Sequence, residues 1–563
     1  MKAGTTMHPD TTNRRRSRTA RRGLTVSLVF GATIATILSG ALPATAHDDD
    51  QRLQPGNLLV SRTQYVAGAD IITPGTTQLP VGCTTACVTA TADGSYPGVW
   101  NNEAVDPSFG VTSPIFLDQL TPSGRQVSTL SVPDGVDGHS GADTGKLVTS
   151  FPSKSELALN LSTSGRSVTF MGYVAPTNAL DVSNSNTPGV PDPTNPVGAS
   201  YYRAVAQLDA NGHFAFIKTN AYSGNNGRAA ILNDNRGAGV YYTAGNAGNG
   251  GNPQPSGVIA GAGTQLITAA HAPERVQVPG APTPVASFNI TQLGDKADKV
   301  GKDTNFRGLT IFNNVVYLTK GSGSNGVNTV YFIDTTGKAC PNGVGLPQPG
   351  AALPTSPLAY DPSTIQANGL PSNMCILNGF PTALKSSTSF PFGVWFANAT
   401  TLYVADEGNG VATYGGGTYT AAAAQTKAGL QKWTLVNGAW KLAYTLTAGL
   451  DLGAPYQVAG YPAGDNAATG LPWAPATDGL RNLTGTVHHD GTVTVYGITS
   501  TVSGATDTGA DPNKLVSITD DLASTAAGMG EHFTTLRTAR AGEALRGVSF
   551  TPGTSSDQDE DRR

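Results

Sequence analysis

From about residue 150 onward one short pattern recurs, and it limits the fold more than any other feature of the chain. An apolar, β-branched strand is followed by a brief polar turn and then by a second strand rich in Tyr, Val and Phe. Residues 157–161 and 168–173 flank Ser164, Gly165 and Arg166; 202–208 and 213–217 flank Asp209, Asn211 and Gly212. Residues 309–312 and 315–319 flank Asn313 and Asn314, 394–397 and 402–405 flank Asn398, and 483–488 and 493–496 flank Asp490 and Gly491. Turns of Asn-Gly, Asp-Gly or Asn-Asn join tight antiparallel hairpins, because these residues accept the left-handed backbone that such turns need. No segment of the mature chain carries the 3.6-residue apolar period of a long amphipathic helix.

The hairpins come in pairs at intervals of roughly 60 to 90 residues, and each pair supplies one four-stranded sheet. The spacing predicts an all-β fold, a β-propeller whose blades begin near Glu156, Arg228, Arg307, Pro391 and Arg481. A sixth blade is expected to be shared between the termini, with 545–550 as its inner strand and 57–61, 114–120 and 126–132 outside it. That closure leaves no free sheet edge. Six blades is the count, or seven if the weak region near 258–290 stands alone; a pair of β-sandwiches is the alternative architecture. Gly/Pro/Asn-rich insertions at 183–199, 245–257 and 341–378 account for the uneven spacing. The domain plan is a leader at 1–46, one propeller domain at 47–552 with long loop insertions, and a charged, disordered tail at 553–563.

Composition narrows the class further. The 563 residues hold 69 Gly and 37 Pro, and only 13% are charged, which excludes a coiled coil and charge-rich disorder. The Gly and Pro have no period of three, so collagen is excluded as well. Arg14, Arg15, Arg16, Arg18, Arg21 and Arg22 precede an uncharged, mostly apolar run at 24–42, and Ala44-Thr45-Ala46 then supplies a small-residue cleavage signal. This is the plan of a signal peptide, with the twin arginines leaving general and twin-arginine export both open. The mature protein is expected to be secreted, periplasmic or otherwise extracytoplasmic. No later stretch approaches the roughly 18 apolar residues of a membrane span.

Without the leader, 28 Lys and Arg face 38 Asp and Glu, a net charge of −10. Such a chain lacks the field that draws in nucleic acid. Cys83, Cys87, Cys340 and Cys375 all lie in the exported part, where disulfides Cys83–Cys87 and Cys340–Cys375 are the economical pairing, each inside one loop region. Metal ligation is the rival reading, but no His or second close Cys pair completes a tetrahedral set near Cys83 and Cys87.

Arg228, Arg307, Arg481 and Arg546 each stand just before or at the start of a first strand, and Glu156 holds the equivalent place in its own blade. Side chains there converge near the mouth of a propeller channel. Arginines in that position can take a carboxylate or phosphate bidentately, or they can brace the backbone of the neighbouring blade. Asp406 and Glu407 follow a hairpin strand and are the candidate acidic pair, for Ca²⁺ or for acid–base work, provided that a turn brings them to one side. Glu156 joins them as a catalytic candidate. His488, His489 and Asp490 invite a metal reading but occupy a tight turn; Asp209, Asn211, Asn233, Asp234 and Asn235 lack the spacing of a Ca²⁺ loop. His139 and Glu531-His532 are isolated. Nucleophile-elbow, zincin, P-loop and dinucleotide motifs do not occur.

Gly56 to Val60, Phe116 to Asp118, Leu402 to Glu407, Lys432-Trp433 and Arg546 to Pro552 resemble landmarks of secreted bacterial β-propeller proteins of uncharacterised function. The resemblance covers most of the mature chain and implies a fold and an exported location, with no substrate or catalytic set. Three roles remain open. The first is binding of an extracellular or envelope ligand (a glycan, a small anionic molecule or a protein) on one face, with Trp100 and Trp473 available to stack on sugars. The second is an extracellular hydrolase or lyase, with Ca²⁺ as the candidate cofactor. The third is an envelope scaffold. A monomer is expected in each case.

Overall fold

The tight turns foreseen between strands are present. Asn313 and Asn314 adopt φ of 47° and 60° and join Leu309–Phe312 to Val315–Lys320, with Phe312 opposite Val315. Two successive positive-φ residues give the turn a twist that matches the right-handed twist of the strands it joins. The computed structural model describes residues 52–66, 72–79, 87–91, 93–99, 110–132, 146–188, 198–219, 221–246, 263–268, 286–287, 305–321, 327–339, 343–355, 374–383, 388–505 and 508–554. All of them belong to one unit, His47–Arg563. The leader, most of the tail, Trp100 and His139 lie outside the described residues.

The fold is all-β. Among the described residues helix is limited to the four-residue α-helix Thr420–Ala423 and two 3₁₀ turns. Four sheets are antiparallel meanders arranged as blades of a propeller-like ring. One runs Gly227–Asn233, Val240–Gly245, Thr264–Thr268, Ala286–Ser287. The next runs Leu309–Phe312, Val315–Lys320, Thr329–Ile333, Met374–Leu377, with the short Val344–Gly345 added in parallel. The third is Pro391–Asn398, Thr401–Asp406, Gly429–Val436, Ala439–Leu446, and the fourth is Ala476–Val487, Thr492–Val502, Lys514–Asp521, Thr534–Thr538.

A fifth, nine-stranded sheet holds both ends of the described chain. Glu543–Phe550 pairs with Leu58–Gln64, which pairs with Thr112–Leu120. Gln126–Ser131 also pairs with Thr112–Leu120, and Lys146–Ser150 links that strand to Ser167–Ala175. Ser167–Ala175 pairs with Arg203–Asp209 and with the short Asn160–Leu161, and Arg203–Asp209 pairs with Phe214–Thr219 at the edge.

The weak region near 258–290 and one region read as an insertion prove to be sheet. Thr264–Thr268 and Ala286–Ser287 complete the sheet that starts at Gly227. Met374–Leu377 lies inside the presumed insertion at 341–378 yet is the buried fourth strand of the next sheet. Cys375 is therefore in a strand rather than a loop. Neither Cys87 nor Cys375 is a free thiol, whereas Cys83 and Cys340 lie outside the described residues.

The core sits between the faces of successive sheets. Phe312 stacks on Phe396 from the next sheet at 4.7 Å between centroids, Tyr317 lies 4.5 Å from the same ring, and Trp440 meets it edge-on. Large aromatic faces of this kind fill the wedge between splayed sheets with few side chains. Nearer the axis the backbones themselves touch. A Cβ at Gly308 would collide with the Phe392 carbonyl, and one at Gly547 with the Leu157 carbonyl. Only glycine permits an approach that close.

Candidate functional site

Three of the first strands break register where their arginine stands. The pairing skips between Gly227 and Ala229, between Leu480 and Leu483, and opposite Val60 and Arg62, where Arg546 and Gly547 drop out of the ladder. Each is a β-bulge, which re-aims side chains off the normal alternation. Arg228, Arg481 and Arg546 thereby turn away from their own sheets, and Arg307 does so by preceding its strand.

Their targets differ. Arg228 Nη1 donates to the Phe306 carbonyl at 2.8 Å and to Asn305 Oδ1. Arg546 Nη2 donates to the carbonyls of Gly509, at 2.7 Å, and Phe151. Both brace neighbouring backbone. Arg481 Nε instead meets the Glu407 carboxylate at 3.3 Å, and Lys154 Nζ meets the same oxygen at 3.2 Å. Arg307 donates to Ser155 Oγ at 2.7 Å and lies over the Phe392 ring.

One segment, Phe151 to Glu156, ties these groups together. Phe151 accepts from Arg546, Pro152 abuts Gly509, Lys154 pairs with Glu407, Ser155 receives Arg307, and Glu156 receives Asn226. It therefore touches residues in or flanking each of the four blades and the nine-stranded sheet. Its lysine is the most accessible charge of the cluster: 21% of the Lys154 side chain is exposed, against 3% for Glu407 and 5% for Arg481.

The electrostatics follow from this crowding. Burial pushes the Glu407 carboxyl up, but Lys154, Arg307 and Arg481 outweigh it and hold the group at about 2. Burial lowers Lys154, opposed by Glu407 and reinforced by Arg307 and Arg481. Burial also lowers Arg481. The neighbouring acids move the other way. Burial raises Asp406 to about 7 despite the amide donors of Phe390 and Gly408, with Glu407 and Asp478 adding to the rise. Asp478 and Asp511 are each raised by burial to about 6. Near neutral pH the cluster thus holds three cations, one fully ionised carboxylate and acids that titrate within the physiological range. Such a concentration of shifted groups is a common mark of a functional site.

Asp406 and Glu407 do not share a site. Asp406 Oδ2 accepts from Phe390 N at 2.8 Å and Gln431 Nε2 at 3.2 Å, and Oδ1 from Gly408 N at 3.1 Å, while Glu407 faces Lys154 and Arg481. Glu156 is likewise engaged on both oxygens, by Thr149, Ser150 N, Tyr173 and Asn226, and burial raises its pKa. Among the described residues no group of three or more His, Cys, Asp and Glu is placed to hold a metal ion. Asp234 instead ties Thr163 and Ser164 to the adjoining sheet, and Asp209 caps its own turn through Asn211 N and His213 N. His488, His489 and Asp490 line an open surface cleft with Thr494 and Thr519. No helix among the described residues is long and apolar enough to cross a membrane.

Lys154, Asp478 and Asp511 were not singled out from sequence. Lys154 sits in a Pro-Ser-Lys-Ser stretch without periodicity, and the two aspartates are scattered among turn residues. No protein-family description matches the chain, and neither does any curated protein. Among solved structures it is similar to an ulvan lyase of a new polysaccharide lyase family, PL25, bound to -[GlcA(1-4)Rha3S]-, at 9% identity and a TM-score of 0.27 over 78% of this chain and 90% of that one. It is similar to Drosophila Semaphorin 1a, extracellular domains 1–2, at 10% identity and a TM-score of 0.25 over 73% and 83%. It is also similar to a chain of the S. cerevisiae complex of Dbp5 bound to Nup159, Gle1, IP6 and ADP, at 9% identity and a TM-score of 0.24 over 69% and 88%. Likenesses of this size carry no argument, and the fold rests on the strand pairing above.

Proposed function

We propose that this is an exported β-propeller that binds an anionic extracellular or cell-envelope ligand at the mouth of its channel, on Lys154, Arg307 and Arg481. The observation that carries the reading is the convergence of three cations on the single carboxylate of Glu407, with part of Lys154 left accessible. A desolvated cationic cluster of this kind attracts carboxylate, sulfate or phosphate far more strongly than the same charges in water.

The ring has six blades in this reading. Its support is the succession of contacts between first strands, from Asn160–Leu161 through Gly227–Asn233, Leu309–Phe312, Pro391–Asn398 and Ala476–Val487 to Glu543–Phe550, which again meets Asn160–Leu161. The terminal strands close the ring by sharing one blade. Export by the leader at 1–46, disulfides Cys83–Cys87 and Cys340–Cys375, and a monomeric state complete the proposal.

Titration calorimetry at low ionic strength with sulfate, phosphate, citrate and glucuronate tests it. At least one anion is expected to bind, and Lys154→Met is expected to weaken it at least tenfold. Arg166→Met, at a side chain 75% exposed, should leave it unchanged. Absence of any binding, or a Lys154→Met protein that binds as well as wild type, would overturn the reading. The second reading, a hydrolase or lyase, draws on Asp406, whose carboxyl at about 7 suits proton transfer beside a cationic cluster. Turnover of a bound anionic glycan, lost in Asp406→Asn, would establish it.

A further inference from the structure

We propose that the anion taken by this cluster is carried on a sugar chain, and that Tyr96 and Trp473 form the wall on which an adjoining sugar ring stacks. The inference rests on the anion-site reading above and names the ligand class of that same site.

Five aromatic rings lie in contact beside the cationic cluster. Tyr96 meets Tyr65 at 5.9 Å, Phe151 at 6.0 Å and Tyr461 at 5.8 Å between centroids, and Tyr461 meets Trp473 edge-on at 6.4 Å. The rings come from three distant parts of the chain, so the assembly is made by the fold rather than by a local run. Phe151 and Tyr461 are buried, whereas Tyr65, Tyr96 and Trp473 are only half-buried. Rings held from behind by buried rings offer a rigid face to a ligand at little entropic cost.

The wall and the cations share a support. Phe151 is three residues before Lys154, on the segment that contacts the four blades and the nine-stranded sheet, and the backbone of 152–154 packs against Gly509. Two residues beyond Gly509, the buried Asp511 accepts the Tyr461 hydroxyl at 2.6 Å and Ser503 Oγ at 2.8 Å, and it interacts electrostatically with Arg481. Asp511 is thus a positioning residue that locks the middle ring of the wall and faces the cation cluster. Tyr456 is fixed in the same way, its hydroxyl on the Pro512 carbonyl at 2.7 Å, and Lys514 covers its ring at 3.8 Å. Of the three half-buried rings, Tyr96 and Trp473 are the two that flank Tyr461, and they form the outer faces.

Aromatic faces beside fixed cations match a chain of pyranose rings bearing carboxylates or sulfates. The C–H face of a sugar lies flat on an indole or phenol ring, while its acidic substituent reaches the cations. An acidic peptide would find the same charges here, but a wall of Tyr96 and Trp473 backed by Phe151 and Tyr461 is built of aromatic rings rather than of an aliphatic pocket for its side chains. The mature chain's net charge of −10 works against nucleic acid as the polyanion.

The test is calorimetric binding of inorganic sulfate, glucuronate, a galacturonate tetrasaccharide, a heparin tetrasaccharide and a tetra-aspartate peptide. One of the two tetrasaccharides is expected to bind at least tenfold more tightly than glucuronate. Trp473→Ala should lower tetrasaccharide affinity about tenfold, the scale of one lost stacking contact, and leave sulfate affinity within twofold. Trp473→Phe, which keeps a ring, should recover most of the loss and exclude misfolding as the cause. The inference fails, with the anion site intact, if sulfate binds but tetrasaccharides bind no better than glucuronate, if Trp473→Ala leaves them unaffected, or if the peptide binds more tightly. If no anion binds at all, the anion-site reading fails and takes this one with it.

Discussion

Glu407→Gln isolates the electrostatic balance of the cluster. The carboxylate is almost fully buried and holds Lys154 at 3.2 Å and Arg481 at 3.3 Å. Its pKa falls from 4.5 to about 2, a shift equivalent to about 3 kcal/mol of native-state stabilisation. A depressed carboxylate contributes that stability above its unfolded pKa and loses it as the pH drops toward the folded value. The contribution is therefore complete above about pH 4.5 and fades between there and about pH 2. Removing one member of a buried pair costs about 3–5 kcal/mol in general, so the two figures agree. A cooperative unit of about 500 residues unfolds with an entropy of about 1 kcal/mol/K, and Glu407→Gln should lower Tm by about 3 °C at pH 6.

The same change leaves Asp478 and Asp511, both partly protonated near pH 6, as the acids nearest Lys154 and Arg481, so an added anion should stabilise the variant more than wild type. At tenfold excess over its Kd, sulfate adds about 1.4 kcal/mol, or about 1 °C. Differential scanning calorimetry from pH 3 to 7, with and without sulfate, reads both effects. A variant within 1 °C of wild type across pH 5 to 7, or a sulfate shift equal in the two proteins, would refute the reasoning.

The raised acids give the opposite pH dependence. Asp406 at about 7 and Asp478 and Asp511 at about 6 bind protons in the folded state that the unfolded chain has released, so they should make Tm fall as the pH rises from about 4 to about 7; Asp406→Asn should flatten the upper part of that fall. Gly308→Ala and Gly547→Ala should each cost about 1–3 kcal/mol through contact with the carbonyls of Phe392 and Leu157, whereas Gly198→Ala, with open space around it, should be neutral in the same thermal melts. Lys432→Met should lower Tm by about 3–5 °C, because Lys432 and Asp520 form a fully buried pair at 3.1 Å that also receives Tyr444; the double change with Asp520→Asn should be milder than the single one, and equal losses would rule out the pair as the cause.

Much of the architecture was legible because it is locally encoded. Asn313-Asn314 and His488 to Gly491 are turn-formers between strands of period two, and they fold where that chemistry places them. The strands with no readable pattern are short and sit among glycine and proline. Ala286–Ser287 has two residues and Met374–Leu377 four, and their pairing is dictated by the longer strands beside them rather than by any pattern of their own. The site was legible only in halves, for a related reason. Arg307, Arg481 and Glu407 could be picked out as charges at strand ends, but a bulge leaves no mark in composition, so four arginines with one local signature looked equivalent. What separates them is the group each one meets. Arg228 and Arg546 reach peptide carbonyls, neutral acceptors that every blade junction supplies, and in meeting them they finish a structural task. Arg481 meets a carboxylate already paired to Lys154, with Arg307 close by and with Asp478 and Asp511, acids that titrate at about 6, beside it. The cluster is assembled only when a lysine from a patternless segment is brought to Glu407, which makes Lys154 the residue whose removal most directly tests whether the cluster serves a ligand.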